Sequence, residues 1–183
     1  MQHVDHVALI RGGVEGAGPS WLELGAGPGA FTLALADVLA PGGRIVALDV
    51  DGGALQQLMD RLATRSPAIS LETVLGDMRT AIPAGPFDGV LAANSLHFLA
   101  DPAPVLAAAR AGLAPGGRLV VVEYDADHGN PWVPHPFSFA TWQRRAVAAG
   151  FAAPQLIHRV PSRFLGAIYG AVTTRTQDDA DHG

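Results

Sequence analysis

Trp21-Leu22-Glu23-Leu24-Gly25-Ala26-Gly27-Pro28-Gly29-Ala30-Phe31 is the most informative stretch of this chain. An apolar strand carries one carboxylate near its end. It runs into three glycines at alternating positions, and a helix-forming run follows. Glycine lets the backbone turn sharply and lets a ligand approach where any Cβ would collide. The free N–H groups that open the following helix then face that ligand. The stretch therefore reads as a ligand-binding turn between a strand and a helix. Glu23 adds a negative charge where a pure phosphate site would want none.

The apolar runs on either side alternate between β-rich and Ala/Leu-rich types. Strands are expected at 22–24, 44–48, 69–75, 87–92, 118–124, 155–160 and 165–174. Helices are expected at 30–39, 54–63, 102–113 and 138–149. In the second helix Leu55, Leu58, Met59 and Leu62 recur at 3- and 4-residue spacing, which puts them on one face. Asp101-Pro102 opens the third with a capping oxygen and a proline. Strand-helix alternation implies βαβ units, a mostly parallel sheet and helices on both faces. Only a short loop around Pro161-Ser162 separates the last two strands, so they pair antiparallel. The expected fold is thus α/β, a doubly wound, mostly parallel seven-stranded sheet ending in an antiparallel β-hairpin. One domain is expected over residues 1–175. Residues 1–19 form a lid-like N-terminal segment in this reading, and 176–183 a disordered tail.

The chain has 183 residues, enough for one domain with a sizeable core. Net charge is −5, and no basic run stands out. Binding to a phosphate backbone needs clustered positive charge, so nucleic acid and anionic membranes are disfavoured as partners. Cysteine is absent, which excludes disulfides and thiolate chemistry. No apolar run reaches the roughly 18 residues of a membrane span. The first residues lack the pattern of a secretory signal. A cytoplasmic location is the default expectation. All 12 basic residues are arginine, which a GC-rich genome explains without reference to function.

The glycine turn alone leaves two ligands open. Gly25-x-Gly27-x-x-Ala30 satisfies the dinucleotide fingerprint, with Asp49 as its downstream acid. An acidic residue before Gly-x-Gly-x-Gly also resembles motif I of class I S-adenosylmethionine-dependent methyltransferases. Four later features resemble that family in order. Ile45-Val46-Ala47-Leu48-Asp49 ends a strand with a carboxylate. Leu75-Gly76-Asp77-Met78 follows the third strand. Asp88 to Phe98 matches the fourth strand and its loop. Leu113-Ala114-Pro115-Gly116-Gly117-Arg118-Leu119 resembles the family's turn into the fifth strand. The likeness covers roughly residues 20 to 175.

The resemblance implies S-adenosylmethionine as cofactor, with Asp49 accepting hydrogen bonds from both ribose hydroxyls. Asp51 competes for that role but suits the cap of the next helix better. Asp77 would take the adenine amino group and Met78 would pack on the ring. The implied cofactor set is Glu23, Gly25, Gly27, Gly29, Asp49, Val50, Gly76, Asp77, Met78 and Asn94, with no metal. The implied activity is methyl transfer to a small-molecule acceptor by in-line displacement. A non-catalytic S-adenosylmethionine-binding protein and an NAD-dependent oxidoreductase are the alternatives. A homodimer is possible.

The activated sulfonium needs little covalent help, so a base is required only if the acceptor arrives protonated. In an open α/β sheet the reactants lie beyond the carboxyl ends of the strands. The loop after the fourth strand offers Asn94, Ser95 and His97. The long loop after the fifth offers His128 as first candidate base and Tyr124 as second, with Trp132 as an aromatic wall. His97 matches a family position that often packs beside the cofactor. Asp125 and Asp127 are expected to cap turns.

Overall fold

The computed structural model describes residues 1–176. Helix α1 (His3–Val14) leads into β1 (Ser20–Leu24), α2 (Ala30–Val38), β2 (Arg44–Asp49), α3 (Gly52–Arg65) and β3 (Ser70–Leu75). Then come β4 (Phe87–Ala93), a 3₁₀ turn (Leu96–Phe98), α4 (Ala103–Gly112), β5 (Leu113–Tyr124), α5 (Phe139–Ala148), β6 (Gln155–Ser162) and β7 (Gly166–Thr174). The strands form one seven-stranded sheet in the order β3-β2-β1-β4-β5-β7-β6. The first five are parallel, and β7 runs antiparallel to both neighbours. The expected doubly wound sheet with its terminal hairpin is therefore present. The strand order reverses between β1 and β4, which makes their carboxyl ends the crevice of the fold.

Alternating side chains build a core on each face. Trp21, Ile45, Ala47, Leu91, Val120 and Val122 face α1, α2 and α3. Leu22, Leu24, Val46, Leu48, Val90 and Val121 face α4 and α5. With both faces covered, the central strands read as continuous apolar runs. Glu23, between Leu22 and Leu24, consequently points under α2. Trp21 is fully buried and lies against Gly89, where a Cβ would come within 2.4 Å of the indole. That glycine is what lets β4 pair with β1 at this level.

Three expectations need correction. The N-terminal segment is not a lid over the strand ends. Leu9, Ile10, Gly13 and Val14 are buried against the sheet. Gly170 of β7 admits the backbone of Leu9, since a Cβ there would lie 1.9 Å from the Leu9 carbonyl oxygen. The first turn of α1 reaches α2: His3 Nε2 lies 2.7 Å from Asp37, and His6 packs on Phe31. Second, β5 starts at Leu113 instead of 118, because Leu113 already pairs with Phe87. Third, Thr176, counted with the tail, donates to the Gly150 carbonyl at 2.6 Å. The rest of the expected tail, 177–183, lies outside the described residues. No helix among the described residues is long and apolar enough to cross a membrane.

Candidate active site

The glycine turn is stitched to the end of β2. The N–H groups of Gly25 and Ala26 both donate to the Leu48 carbonyl, at 2.8 and 3.1 Å. Gly25 has φ +73° and sits where a Cβ would come within 2.6 Å of Ser95. Gly27, φ +53°, has nothing within 4 Å of an added Cβ, so it faces open space. Gly29, φ +88°, adjoins Leu58 of α3 at 2.4 Å from an ideal Cβ. The first two glycines shape the cleft, whereas the third serves helix packing.

Asp49 ends β2. Its Oδ2 accepts from the Gly27 N–H at 2.7 Å and its Oδ1 from the Asp51 N–H at 2.9 Å. Asp51 caps α3 by accepting from Gly53 and Ala54. Asp51 is thus the helix cap, while Asp49 holds the glycine turn. Gly76 donates to the Asp49 carbonyl at 2.9 Å, and a Cβ on it would strike Ala81 at 2.6 Å. Asp77 is forked to Arg79, with Nε 3.0 Å from each carboxylate oxygen. That guanidinium holds the Asp77 carboxyl down at about 2.

These elements enclose a cleft of about 410 Å³. Of the expected cofactor residues, Gly25, Gly27, Asp49, Val50, Asp77, Met78 and Asn94 line it; Glu23, Gly29 and Gly76 do not. Arg79, Ser95, Phe98 and Leu99 complete the lining. Asn94 is the one non-glycine with positive φ among the described residues, at 51°. Asparagine visits that region more readily than most, and strained backbone gathers at functional sites. The Asn94 N–H donates to the Val122 carbonyl at 2.8 Å, which turns the chain over the end of β5. The Asn94 Oδ1, Ser95 Oγ and Glu23 Oε2 atoms are buried without a hydrogen-bond partner. Buried polar atoms are nearly always partnered, and two of these three, on Asn94 and Ser95, belong to residues of the cleft lining, which fits a polar ligand seated there.

Glu23 is enclosed beneath α2. Burial pushes its carboxyl up from 4.5 to about 8, and the Asp49 charge adds to this; the Thr32 hydroxyl beside it opposes the rise. The folded protein therefore keeps a proton on Glu23 that the unfolded chain releases above 4.5. Stability from this group is intact below 4.5, declines as pH climbs toward about 8, and then levels off. Each unit between the two values is worth about 1.4 kcal/mol. Glu23→Gln keeps the shape and stays neutral. It should gain a few kcal/mol over the native chain at pH 8 and little at pH 4.5. Chemical denaturation at both values measures this; parallel pH profiles for the two proteins would refute a protonated Glu23.

The catalytic candidates separate clearly. His128 is exposed on the loop after β5 and is not among the cleft residues. Asp127 accepts from Ser138 N and Oγ, and Asp125 from Phe139 N, so both anchor the start of α5. Tyr124 is half-buried; burial and the Glu123 charge push its phenol up, so it holds its proton. His97 does not touch the cleft surface. It is 3% exposed, with Nδ1 2.9 and 3.0 Å from the two carboxylate oxygens of a fully buried Glu123. Sequence reasoning missed Glu123. Its signal was a carboxylate closing the apolar run of a central strand, which water cannot reach from either face. Arg11 forms an ion pair with Glu15.

A family model described as a methyltransferase domain matches residues 22–119, more than half of the chain. The chain belongs to the class I S-adenosylmethionine-dependent methyltransferase family. Its cofactor is accordingly S-adenosylmethionine, and the dinucleotide reading of the glycine turn falls. An uncharacterised 37.1 kDa protein in a transposon of Streptomyces fradiae is 40% identical over 111 residues, 60% of this chain and 31% of that one. The ubiquinone/menaquinone biosynthesis C-methyltransferase UbiE of Ectopseudomonas mendocina is 31% identical over 111 residues, 60% of this chain and 43% of that one. The matched stretch thus spans less than half the length of these relatives. Among solved structures, the N-methyltransferase NodS of Bradyrhizobium japonicum, in complex with S-adenosylhomocysteine, superposes with a TM-score of 0.75 at 22% identity. That match covers 95% of this chain and 87% of NodS, and it shows a shared methyltransferase fold.

Proposed function

We propose that this protein transfers a methyl group from S-adenosylmethionine to a small-molecule acceptor by in-line displacement. The observation that carries the reading is the cleft at the β1/β4 switch point, lined by Asp49, Asp77 and the orphaned polar atoms of Asn94 and Ser95. In this reading Asp49 binds the ribose hydroxyls, since each carboxylate oxygen can accept beyond its present backbone bond. Asp77 and Met78 hold the adenine. The glycine turn, with Asn94 and Ser95, receives the methionine end, and Glu23 supports it from below. The cofactor supplies a methyl group already activated on a sulfonium.

The protein's remaining task is to hold the acceptor close and aligned, which is worth roughly 7–11 kcal/mol in well-oriented systems. Large apolar side chains stand exposed along the carboxyl ends of the strands. Val50 follows β2, Leu75 ends β3, Phe98 follows β4, Trp132 lies on the loop after β5, and Phe164 lies in the β6–β7 turn. Of these, Val50 and Phe98 line the cleft, and they favour an acceptor with an apolar body. The acidic net charge and absence of a basic run disfavour a polyanionic one.

Calorimetric titration with S-adenosylhomocysteine, with NAD as control, tests this reading. Micromolar binding of the first alone is expected. NAD binding without S-adenosylhomocysteine binding would overturn it.

A further inference from the structure

We propose that the groove between α4 and α5 is a second binding site, separate from the cofactor cleft, for a small organic acid whose single carboxylate pairs with Arg145 and whose body is apolar. The two helices meet here through their smallest side chains. Ala103 and Ala107 on α4, with Ala148 and Ala149 at the end of α5, form much of the wall, and a cavity of about 440 Å³ is left between them. Small-molecule sites are typically about 300–1,000 Å³ and mostly apolar, with a few polar groups that fix orientation. The charged residues of this lining are Arg145 and Asp101.

Arg145 is what marks the groove as a site. The residue is partly buried, and its Nη1 is sealed off without a hydrogen-bond partner. Among the described residues its guanidinium makes neither a hydrogen bond nor an ion pair. It lies over the Phe137 ring instead, 5.0 Å from the centroid, which steadies the plane of the fork. Every other arginine is tied to a carboxylate or a carbonyl, except Arg163, which is exposed in the β6–β7 turn. A guanidinium can only donate, and burying it without an acceptor is costly. One turn earlier on α5, Trp142 Nε1 is a second buried donor without a partner, and its ring also packs on Phe137, at 5.8 Å. Both orphans are donors, so the partner that suits them is an acceptor. Arg145 lines the cavity and Trp142 does not, so Arg145 carries the contact.

Asp101 selects among anions. It lines the same cavity, spends Oδ1 on the Ala103 N–H at 2.9 Å and makes no ion pair with Arg145. Its charge repels a dianion such as phosphate, and the lining holds no second cation to offset this. A monocarboxylate needs only the two-pronged bond that one guanidinium offers. The site shares no lining residue with the cofactor cleft, although the two abut. Phe98 and Leu99 line the cleft, and the chain from Ala100 to Ala103 lines the groove.

The test is a titration of ¹⁵N-labelled protein with phenylacetate, followed by proton–nitrogen correlation spectra that include the arginine Nε–H signals. Phenylethanol, which lacks the charge, and inorganic phosphate are the controls. S-adenosylhomocysteine is present only to fill the cofactor cleft, so the methyl-transfer reading and this one fail separately. Millimolar binding of phenylacetate is expected, at least tenfold tighter than of either control. The shifts should fall on the Arg145 Nε–H and along 100–107 and 145–149. Arg145→Gln should weaken binding at least tenfold, and Arg145→Lys, which keeps the charge and loses the fork, should weaken it less. Equal binding of phenylacetate and phenylethanol overturns the proposal, and this result needs no variant. So does a preference for phosphate, a set of shifts confined to the cofactor cleft, or no binding of phenylacetate at all. Binding that emerges only when Asp178, Asp179 and Asp181 are all changed to Asn overturns it too. The occupant is then the chain's own acidic stretch after Thr176, whose hydroxyl is bonded to the Gly150 carbonyl just past α5.

Discussion

Asp49→Ala should lose about 2–4 kcal/mol of affinity for S-adenosylhomocysteine, roughly 30- to 700-fold in Kd. Two losses combine. The ribose hydroxyls lose a charged acceptor, and such bonds are about twice as strong as neutral ones. The glycine turn also loses its anchor, because Asp49 Oδ2 holds the Gly27 N–H at 2.7 Å before any ligand arrives. A turn that must order on binding lowers affinity further. Asp51→Ala is the control. It removes the cap of α3, at a cost to stability of about 1 kcal/mol, and should leave affinity unchanged. Calorimetry on both variants decides the matter. Unchanged affinity in Asp49→Ala, or the larger loss in Asp51→Ala, would move the ribose site from Asp49 to Asp51.

Trp21→Ala should cost about 3–5 kcal/mol of folding stability, against a total of about 5–15 for a typical domain. Trp21 is fully buried, and Gly89 on the neighbouring strand leaves just the room its ring fills. The indole N–H is satisfied by the Gly18 carbonyl at 3.0 Å. Removing the ring opens a cavity against a glycine, and a glycine has no side chain that could move in to close it. The damage lies on the β1–β4 seam, below the cofactor cleft. Trp21→Phe should keep most of the stability. Guanidinium denaturation of both variants measures the effect. A loss below about 1 kcal/mol in Trp21→Ala would show that this seam is not tightly packed.

Much of this was legible in the residues themselves. The alternation of strand and helix signals, the glycine turn and the short link between the last strands dictate a parallel sheet with a terminal hairpin. They do so because hydrophobic period, backbone freedom and connection length are local properties. The capping role of Asp51 was legible for the same reason: it directly precedes a helix. The roles of Gly25, Gly27 and Gly29 looked alike in sequence. Only their different neighbours, Ser95, open space and Leu58, set them apart.

Side-chain partnerships across the sheet were beyond local reading. His128 looked like a base because a polar loop after β5 attracts attention, yet its neighbours Asp125 and Asp127 spend their bonds on the start of α5. Glu123 looked like the end of an apolar strand. It meets His97 only because β4 and β5 are adjacent and parallel, which brings their carboxyl ends together across 26 residues of sequence. The first helix read as a cover for the site until Gly170 and Leu9 showed where it is seated. By itself, then, the sequence determined the sheet, the glycine turn and the family. The tertiary structure alone decided which buried charges meet, because contact between distant residues follows from strand order and packing and not from the character of either residue.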